Sequence, residues 1–259
     1  MELWGSFAAQ DARLRNTPLP RGRGVRWPRV ARVVSVGFVV AIVATNVAVW
    51  PQVVAQWGSD YGFYQGVASR WWETGQFYLT HQLTGPYEAT SGIDTLYPPF
   101  ALGLFAPFVW LPAVLWWTIP LGILAWHVVT SRPAWWAWPL IAGILWLPRS
   151  ESIVIWGNTG MWVAAFVALG LRFRWPAVLA LVKPTFAPLA LIGSRHWSWW
   201  LALGVLALVS LPMAADYLTA LRNDTGGYFT PLYSLADYPF VLIGVVATAS
   251  SSFGGSRTR

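Results

Sequence analysis

A single carboxylate, Asp60, opens an aromatic-rich segment of the chain, "SDYGFYQGVASRWWETGQFY" (residues 59–78). Arg70 and Glu73 are the other charged residues in this segment. Two roles suit a carboxylate at this position. It can cap the N-terminus of a helix, or it can act as a general base that takes a proton from a reacting group. The local sequence leaves both roles open.

The second residue that could do chemistry is Lys183, the only lysine among 17 basic residues. It lies within an otherwise uncharged run, "PAVLALVKPTFAPLALI", and is followed by Pro184. An ammonium group is costly in hydrocarbon unless it faces an anion or a wet cavity. Because a proline breaks the helix, the lysine can instead pair with backbone carbonyl groups that the break leaves free. Both interpretations stay open at this point.

The composition places these residues in a membrane protein. Apolar residues make up 56% of the 259 residues and charged residues only 10%, with 20 Trp and a mean hydropathy of +0.49. Long uncharged runs recur, and charges in hydrocarbon cost several kcal/mol, so a soluble fold is excluded in favour of a polytopic membrane protein. The chain has no Cys, which excludes disulfides and thiolate metal sites, and its three scattered His suggest no metal cluster.

The net charge of +7 is concentrated at the N-terminus. The first 32 residues contain seven arginines: Arg13, Arg15, Arg21, Arg23, Arg26, Arg29 and Arg32. A nucleic-acid-binding tail is one interpretation, but no other part of the chain resembles a nucleic-acid module. The positive-inside rule favours a cytoplasmic tail that touches anionic lipid. We therefore predict a cytoplasmic N-terminus, and a first outer loop over residues 51–96.

The apolar runs predict an all-α fold, a polytopic transmembrane bundle with about 7–8 hydrophobic helices. The runs are residues 30–50, 99–110, 111–129, 133–147, 159–171, 175–193, 197–215 and 239–249. The predicted organisation is a basic cytoplasmic tail (1–28), one transmembrane domain (29–250) and a disordered tail (251–259). Arginines flank the run 175–193 on both sides. That pattern suits a re-entrant pair of half-helices, although a tilted single crossing also fits it.

Residues 59–75 predict a helix of about four turns, with Ser59 or Asp60 as its N-cap and Gly75 as its end. At about 100° per residue, Asp60 shares a face with Tyr64, and Glu73 falls near the opposite, solvated face. The Trp71–Trp72 pair is typical of the membrane interface. We expect a surface helix in the first outer loop rather than a span.

The wider pattern resembles a known family. Asp60, Tyr64, Ala68, Gly75 and Tyr78, followed by Tyr97-Pro98-Pro99-Phe100, resemble the active-site loop of the GT-C superfamily of membrane glycosyltransferases. The pattern is most similar to the bacterial polyprenol-phosphate-mannose-dependent α-mannosyltransferases. "GNTGMWVAAFVALGLR" (157–172) resembles that family's Gly-Gln-x-Asn helix start, with Asn158 where Gln is usual. "WPAVLALVKPTFAPLALI" (175–192) resembles its Lys-Pro helix.

The resemblance implies a plasma-membrane hexosyltransferase of the bacterial cell envelope, with its active site extracytoplasmic. It would move a hexose, expected to be mannose, from a polyprenyl-phosphate-linked donor to a lipid or glycan acceptor, with inversion and without metal or cofactor. Expected partners are these substrates and membrane lipids, not nucleic acid. The implied roles are general base for Asp60, donor phosphate binding for Lys183, Asn158 and Arg149, and substrate lining for Tyr64, Tyr78, His81, Asp94 and Tyr97.

Several alternatives stay open. Arg149 could instead form an interfacial ion pair with Glu151, and His81 and Asp94 could serve only to solubilise the loop. A late polar segment could cover the site: Asp216, Arg222, Asp224 and Asp237. The second function class is a truncated or non-catalytic relative that acts as a scaffold or transporter-like protein. An enzyme needs Asp60 at the mouth of a groove shared with Lys183, whereas a packing protein does not.

Overall fold

Helices form most of the described chain. The computed structural model describes residues 44, 47–90, 92–226 and 235–254, all within one unit, Ile42–Arg259. Over these residues the only β pairing is an isolated bridge between Tyr87 and Asp224. The predicted all-α class is therefore confirmed. The predicted basic tail, residues 1–28, lies outside the described residues.

The helices are numbered along the chain. They are α1 (residues 47–55), α2 (Ser59–Thr74), α3 (Thr80–Thr84), α4 (Leu102–Phe105), α5 (Val114–Ser131), α6 (Ala137–Leu145), α7 (Pro148–Trp156), α8 (Gly160–Phe173), α9 (Ala187–Ala190), α10 (Trp197–Ser210), α11 (Ala214–Asn223), α12 (Tyr238–Val241) and α13 (Ile243–Gly254). Short 3₁₀ helices cover Pro99–Ala101, Ala106–Val109, Trp175–Val182, Pro184–Phe186 and Leu211–Met213. Most of the predicted first span, residues 30–50, lies outside the described residues, and α1 continues past its expected end to residue 55.

Two of the described helices are long and apolar enough to cross a membrane. One is α5, and the other is Trp197–Asn223, a 27-residue helix that runs through α10, a 3₁₀ turn and α11. A third span is possible if α7 and α8, which meet at an angle of 100°, are one broken crossing. Membrane-length helices are thus confirmed, whereas a bundle of seven or eight spans is not confirmed within the described residues.

Helix α8 lies at the centre of the fold. It packs against α5, α12, α13 and the 3₁₀ helix Trp175–Val182. Its buried residues are mostly small: Gly160, Met161, Trp162, Val163, Ala164, Ala165, Val167, Ala168 and Gly170. Small side chains let neighbouring backbones approach closely, which is how membrane helices gain packing contacts. This packing fixes the position of the N-terminus of α8.

The segment 175–193 is a hairpin with Lys183 at its tip. The 3₁₀ helix Trp175–Val182 runs toward Lys183, and Pro184–Phe186 and α9 lead back. At the return, Gly193 lies so close to the start that a Cβ on it would be 2.6 Å from the carbonyl oxygen of Arg174. The chain therefore comes back to where the segment began. The re-entrant interpretation of this run is the one that the structure supports.

Helix α2 differs from its prediction at one end. It ends at Gly75 as predicted, buries Tyr64 and leaves Glu73 exposed. Its N-cap, however, is Gly58, with φ 70° and no side-chain cap hydrogen bond, so the predicted Ser59 or Asp60 cap is wrong. A tertiary contact explains the different start. The Gly58 N–H donates a hydrogen bond to the carbonyl oxygen of Ile155 at 2.9 Å, and the helix begins directly after this contact.

The C-terminal helix also departs from its prediction. Helix α13 continues to Gly254, four residues into the stretch 251–259 that composition assigned to a disordered tail. The hydroxyl groups of Ser250 and Ser251 donate to the carbonyl oxygens of Ala247 and Thr248, at 3.0 and 2.7 Å. Back-bonded serines of this kind fit within a helix. The polar composition of the segment therefore does not end the helix.

Candidate functional site

A sharp bend at Gly157 builds the candidate site. Gly157 joins α7 to α8 with φ 76°, and its carbonyl oxygen accepts a hydrogen bond from the indole of Trp116 at 2.7 Å. A Cβ on Gly157 would lie 2.9 Å from both the Trp117 ring and Tyr61 Cβ. Only glycine fits this positive φ and this close approach. The bend places the next residue, Asn158, against α2.

Asn158 bridges the two predicted chemical residues. Its Nδ2 donates to Asp60 Oδ2 at 2.5 Å. Its Oδ1 accepts from Lys183 Nζ at 3.4 Å and from the Gly160 N–H at 2.8 Å. The carboxylate and the ammonium group are thus hydrogen-bonded to opposite ends of one amide. The Asp60 carboxylate therefore does not serve as a helix cap, and Lys183 does not pair only with backbone carbonyls.

A second carboxylate, Asp237, completes the cluster. Its Oδ2 accepts from Lys183 Nζ at 2.5 Å and its Oδ1 from Arg149 Nε at 2.6 Å. Asp237 is fully buried, and the two basic side chains are only slightly exposed. The five residues Asp60, Asn158, Lys183, Asp237 and Arg149 are called the charge cluster below. Its two carboxylates and two cations balance.

The surroundings of Asp60 alter the proton affinity of its carboxyl group. Burial raises the pKa of its carboxyl group, and the nearby Asp237 adds to this rise. The hydrogen bond from Asn158 and the charges of Lys183 and Arg149 oppose the rise without cancelling it. A carboxylate with a raised pKa is a stronger base. The side chain is half-buried.

Two tyrosines line the cluster on the α8 side. Tyr97 Oη lies 3.0 Å from Tyr64 Oη and 2.9 Å from Thr159 Oγ1, directly beside Asn158. Burial raises the pKa of both tyrosines, so both stay neutral hydroxyl groups. Tyr78 is one step further away, and its hydroxyl donates to the Tyr97 carbonyl oxygen at 2.8 Å. These three predicted residues form one wall, with Tyr64 stacked on Phe105 at 4.8 Å.

The remaining predicted residues, His81 and Asp94, form a separate pair. His81 Nε2 lies 2.7 Å from Asp94 Oδ1. The Asp94 carboxylate is buried and accepts from the Thr90 N–H at 2.8 Å, whereas His81 is half exposed. The ring of His81 meets that of Tyr87 edge-on at 5.6 Å. The structure places this pair in the loop around α3 rather than in the charge cluster.

Sequence reasoning did not assign a role to Asp237 beyond membership of a late polar segment. A signal was present, because Asp237 is an isolated carboxylate at the edge of an apolar run and such residues pair with other buried charges. The pairing gives Arg149 a carboxylate partner that neither sequence alternative named. Arg149 bonds to Asp237, while Glu151 Oε2 is buried without a hydrogen-bond partner among the described residues.

Comparison of the chain with protein-family models, with curated proteins and with solved structures gives no match. The site is therefore interpreted from its own chemistry. Over the described residues no group of three or more His, Asp or Glu side chains could hold a metal ion. The cluster offers a base at Asp60 and two adjacent cations at Lys183 and Arg149, which together suit the transfer of a group from a phosphate to a hydroxyl.

Proposed function

We propose that the protein is a membrane glycosyltransferase that moves a hexose, with mannose the expected sugar, from a polyprenyl-phosphate-linked donor to a hydroxyl of a lipid or glycan acceptor. One observation carries the proposal. A half-buried base, Asp60, and a buried cation, Lys183, are hydrogen-bonded to the same Asn158 side chain. This juxtaposition matches what the sequence resemblance implies for the donor site.

Asp60 acts as the general base. As the acceptor oxygen forms its bond to the anomeric carbon, its proton passes to the Asp60 carboxylate, whose raised pKa favours this transfer. The bond from the anomeric carbon to the phosphate oxygen breaks, and the phosphate leaves with the electron pair. The products are a glycoside, with inverted configuration, and a polyprenyl phosphate. No metal and no cofactor take part in this mechanism.

Lys183 and Arg149 neutralise the leaving phosphate. Asp237 accepts from both cations, one at each of its oxygens, so it holds them side by side. One phosphate group can then accept hydrogen bonds from the ammonium and the guanidinium together. Asn158 holds the base Asp60 beside one of these cations, Lys183. Asp237 is thus a positioning residue, and it does not touch the reacting atoms.

The donor reaches this cluster along the membrane. Its polyprenyl chain stays in the hydrocarbon, while the phosphate lies at the level of the headgroups. A site at the end of the apolar helices α5 and α8 suits such a substrate. By the positive-inside rule, the N-terminal tail with its seven arginines is cytoplasmic, so the loop that follows the first span, and Asp60 with it, is extracytoplasmic.

The charge cluster supports an enzyme over the alternative, a non-catalytic scaffold. Four charged side chains in a mostly buried position are costly, and hydrophobic residues of similar volume are often as stable or more stable. A packing protein has no need of a half-exposed carboxylate with a raised pKa beside two cations. A protein that binds a phosphate and removes a proton needs the cations for the first task and the carboxylate for the second.

The deciding experiment is a transfer assay. Purified full-length protein in detergent is incubated with polyprenol-phosphate-mannose, radiolabelled in the sugar, and with a total lipid and glycan extract of bacterial membranes. We expect a labelled product and the release of polyprenyl phosphate. The variant Asp60→Asn keeps the side-chain volume and an oxygen that can accept the hydrogen bond from Asn158. It should therefore still bind the donor, but its transfer rate should fall by a factor of roughly 10²–10⁴.

The matched control is Glu73→Gln, which changes a carboxylate on the exposed side of the same helix. It should retain the wild-type rate. If no acceptor fraction becomes labelled, or if folded Asp60→Asn turns over like the wild type, the proposed function is wrong.

A further inference from the structure

Four arginines meet at the end of the fold that lies away from the charge cluster. Arg132 follows α5, Arg172 and Arg174 end α8, and Arg195 follows the return of the hairpin. All four are exposed. They are called the arginine rim below. The proposed reaction leaves this rim without a role.

Specific contacts hold the rim together. The guanidinium of Arg172 lies over the ring of Trp126 in α5, 4.9 Å from its centroid. The close approach of Gly193 to the Arg174 carbonyl brings Arg195 to the same end. Arginines from three segments that are distant in the sequence thus lie at the same end of the fold. This convergence is a property of the fold rather than of a single basic stretch.

The rim lies at the opposite end of α5 from the bend that builds the charge cluster. Trp116, near the start of α5, donates to Gly157 at the bend, whereas Arg132 caps the far end of the same helix. At 1.5 Å per residue, the sixteen positions from 116 to 132 span about 24 Å. The rim is thus separated from the bend, along α5, by most of the roughly 30 Å thickness of the hydrocarbon.

Charge and aromatic residues both indicate a lipid partner. The described acidic residues all lie in segments other than those that form the rim: Asp60, Glu73, Glu88, Asp94, Glu151, Asp216, Asp224 and Asp237. Large exposed indole rings surround the arginines, with Trp135 83%, Trp197 75% and Trp175 45% exposed. Trp rings of this kind anchor proteins at the lipid–water interface.

The backbone gives a further, independent indication. Arg132 and Arg174 have φ values of 50° and 70°, and they are the non-glycine residues with positive φ in the described chain. Glycine adopts this conformation without the steric cost that arginine bears. Backbone preference therefore does not account for an arginine at either position.

We propose that the arginine rim binds the phosphate groups of anionic phospholipids at the cytoplasmic face. Guanidinium groups pair with phosphate oxygens in a bidentate manner, which a zwitterionic headgroup with its own ammonium group satisfies less well. The rim would then recognise phosphatidylglycerol or the two-phosphate lipid cardiolipin. This proposal does not depend on the transferase activity.

Native mass spectrometry of the full-length protein tests the proposal. Delipidated protein is titrated separately with cardiolipin, phosphatidylglycerol and phosphatidylcholine, and the bound lipid is counted. The variant Arg132→Gln/Arg172→Gln/Arg174→Gln/Arg195→Gln should bind both anionic lipids at least tenfold more weakly, since each surface arginine is worth about fivefold. Binding of phosphatidylcholine should not change.

Two further variants keep the proposal falsifiable if the quadruple variant does not fold. Arg132→Gly and Arg174→Gly relieve the positive φ, so they should fold at least as well as the wild type and still lose affinity for anionic lipid. The control is Arg222→Gln, an exposed arginine in α11, outside the rim. The seven N-terminal arginines are present in every variant. Equal anionic-lipid binding by wild type and rim variants would overturn the proposal, as would equal loss in the control.

Discussion

Asp60 and Lys183 are held at opposite ends of one amide group, with Asn158 Nδ2 donating to the carboxylate at 2.5 Å and Asn158 Oδ1 accepting from the ammonium at 3.4 Å. The two charged residues are 123 positions apart in the chain, from 60 to 183. Their separation is thus set by a side chain that bonds to both. A substitution of Asn158 should therefore change the positions of the Asp60 carboxylate and the Lys183 ammonium group together.

The rate of transfer should depend on the ionisation of Asp60. A general base must be deprotonated, and burial raises the pKa of the Asp60 carboxyl group. The rate should therefore fall as the pH drops through this raised pKa, at a higher pH than an exposed Asp would show. The measurement is kcat/KM against pH for donor transfer. A rate that stays flat down to the pKa of an ordinary Asp, about 3.9, would contradict the assignment.

Asp60→Asn should also change the pH dependence of stability. In the wild type, Asp60 ionises more readily in the unfolded chain than in the folded one. The wild type is therefore stabilised by this group at low pH, and this contribution is lost as the pH rises through the folded pKa. The Tm of Asp60→Asn minus the Tm of the wild type should therefore increase as the pH rises, and it should level off above the pKa of Asp60 in the folded protein. Thermal unfolding of both proteins in detergent between pH 4 and 8 measures this difference, with Glu73→Gln expected to show no such trend.

Lys183 and Asp237 should be energetically coupled. Removing one partner of a buried ion pair typically costs about 3–5 kcal/mol, because the other charge is left uncompensated. We expect Lys183→Met and Asp237→Asn each to lower the Tm, and the double variant to lose less than the sum. A double-mutant cycle by chemical denaturation measures the coupling. Strict additivity would show that the pair at 2.5 Å does not contribute.

The donor-binding role of Lys183 has its own test. Lys183→Arg keeps the positive charge and should retain part of the affinity for the polyprenyl-phosphate donor, whereas Lys183→Met should lose it. A fluorescent polyprenyl phosphate measures the Kd of the three proteins. Wild-type affinity in folded Lys183→Met would exclude the phosphate role while leaving the structural pair intact.

Gly157→Ala should destabilise the protein and weaken the site at once. The positive φ alone costs about 1–2 kcal/mol for a residue with a Cβ, and the new methyl group would lie 2.9 Å from Trp117 and Tyr61. The bend must then shift, and Asn158 with it. The control is Gly143→Ala in α6, where a Cβ meets nothing within 4 Å and helix propensity favours alanine. Unfolding in detergent and donor transfer are measured for both variants, and equal behaviour of the two would contradict the role of the bend.

Much of this architecture is visible in local sequence signals. Gly75 ends α2 because a glycine in this position takes the left-handed conformation at a helix end. Pro184 breaks the run around Lys183 because a proline interrupts the helix hydrogen bonds. The isolated polarity of Asp60 and Lys183 predicts functional residues because charges are costly in hydrocarbon. Each of these signals depends on one residue and its immediate neighbours.

The missed features depend on contacts between distant segments. Asp237 is hydrogen-bonded to Lys183, 54 positions away in the sequence, and to Arg149, 88 positions away. Periodicity in a sequence does not predict pairs that are so far apart. The N-cap of α2 was predicted at Ser59 or Asp60 because their side chains are good caps. The bond from Gly58 to Ile155 moves the start of the helix instead, and it frees the Asp60 carboxylate for Asn158.

The long helix Trp197–Asn223 has a mechanical consequence. Its 27 residues measure about 40 Å at 1.5 Å each, whereas the hydrocarbon is about 30 Å thick. Since Trp197 follows Arg195 of the arginine rim, an upright helix projects from the opposite surface by about two turns. At its tip, Asn223 holds the loop that carries His81, through bonds to Gln82 and Tyr87 at 2.9 Å. The length of this helix therefore sets how far the segment around α3 stands from the arginine rim.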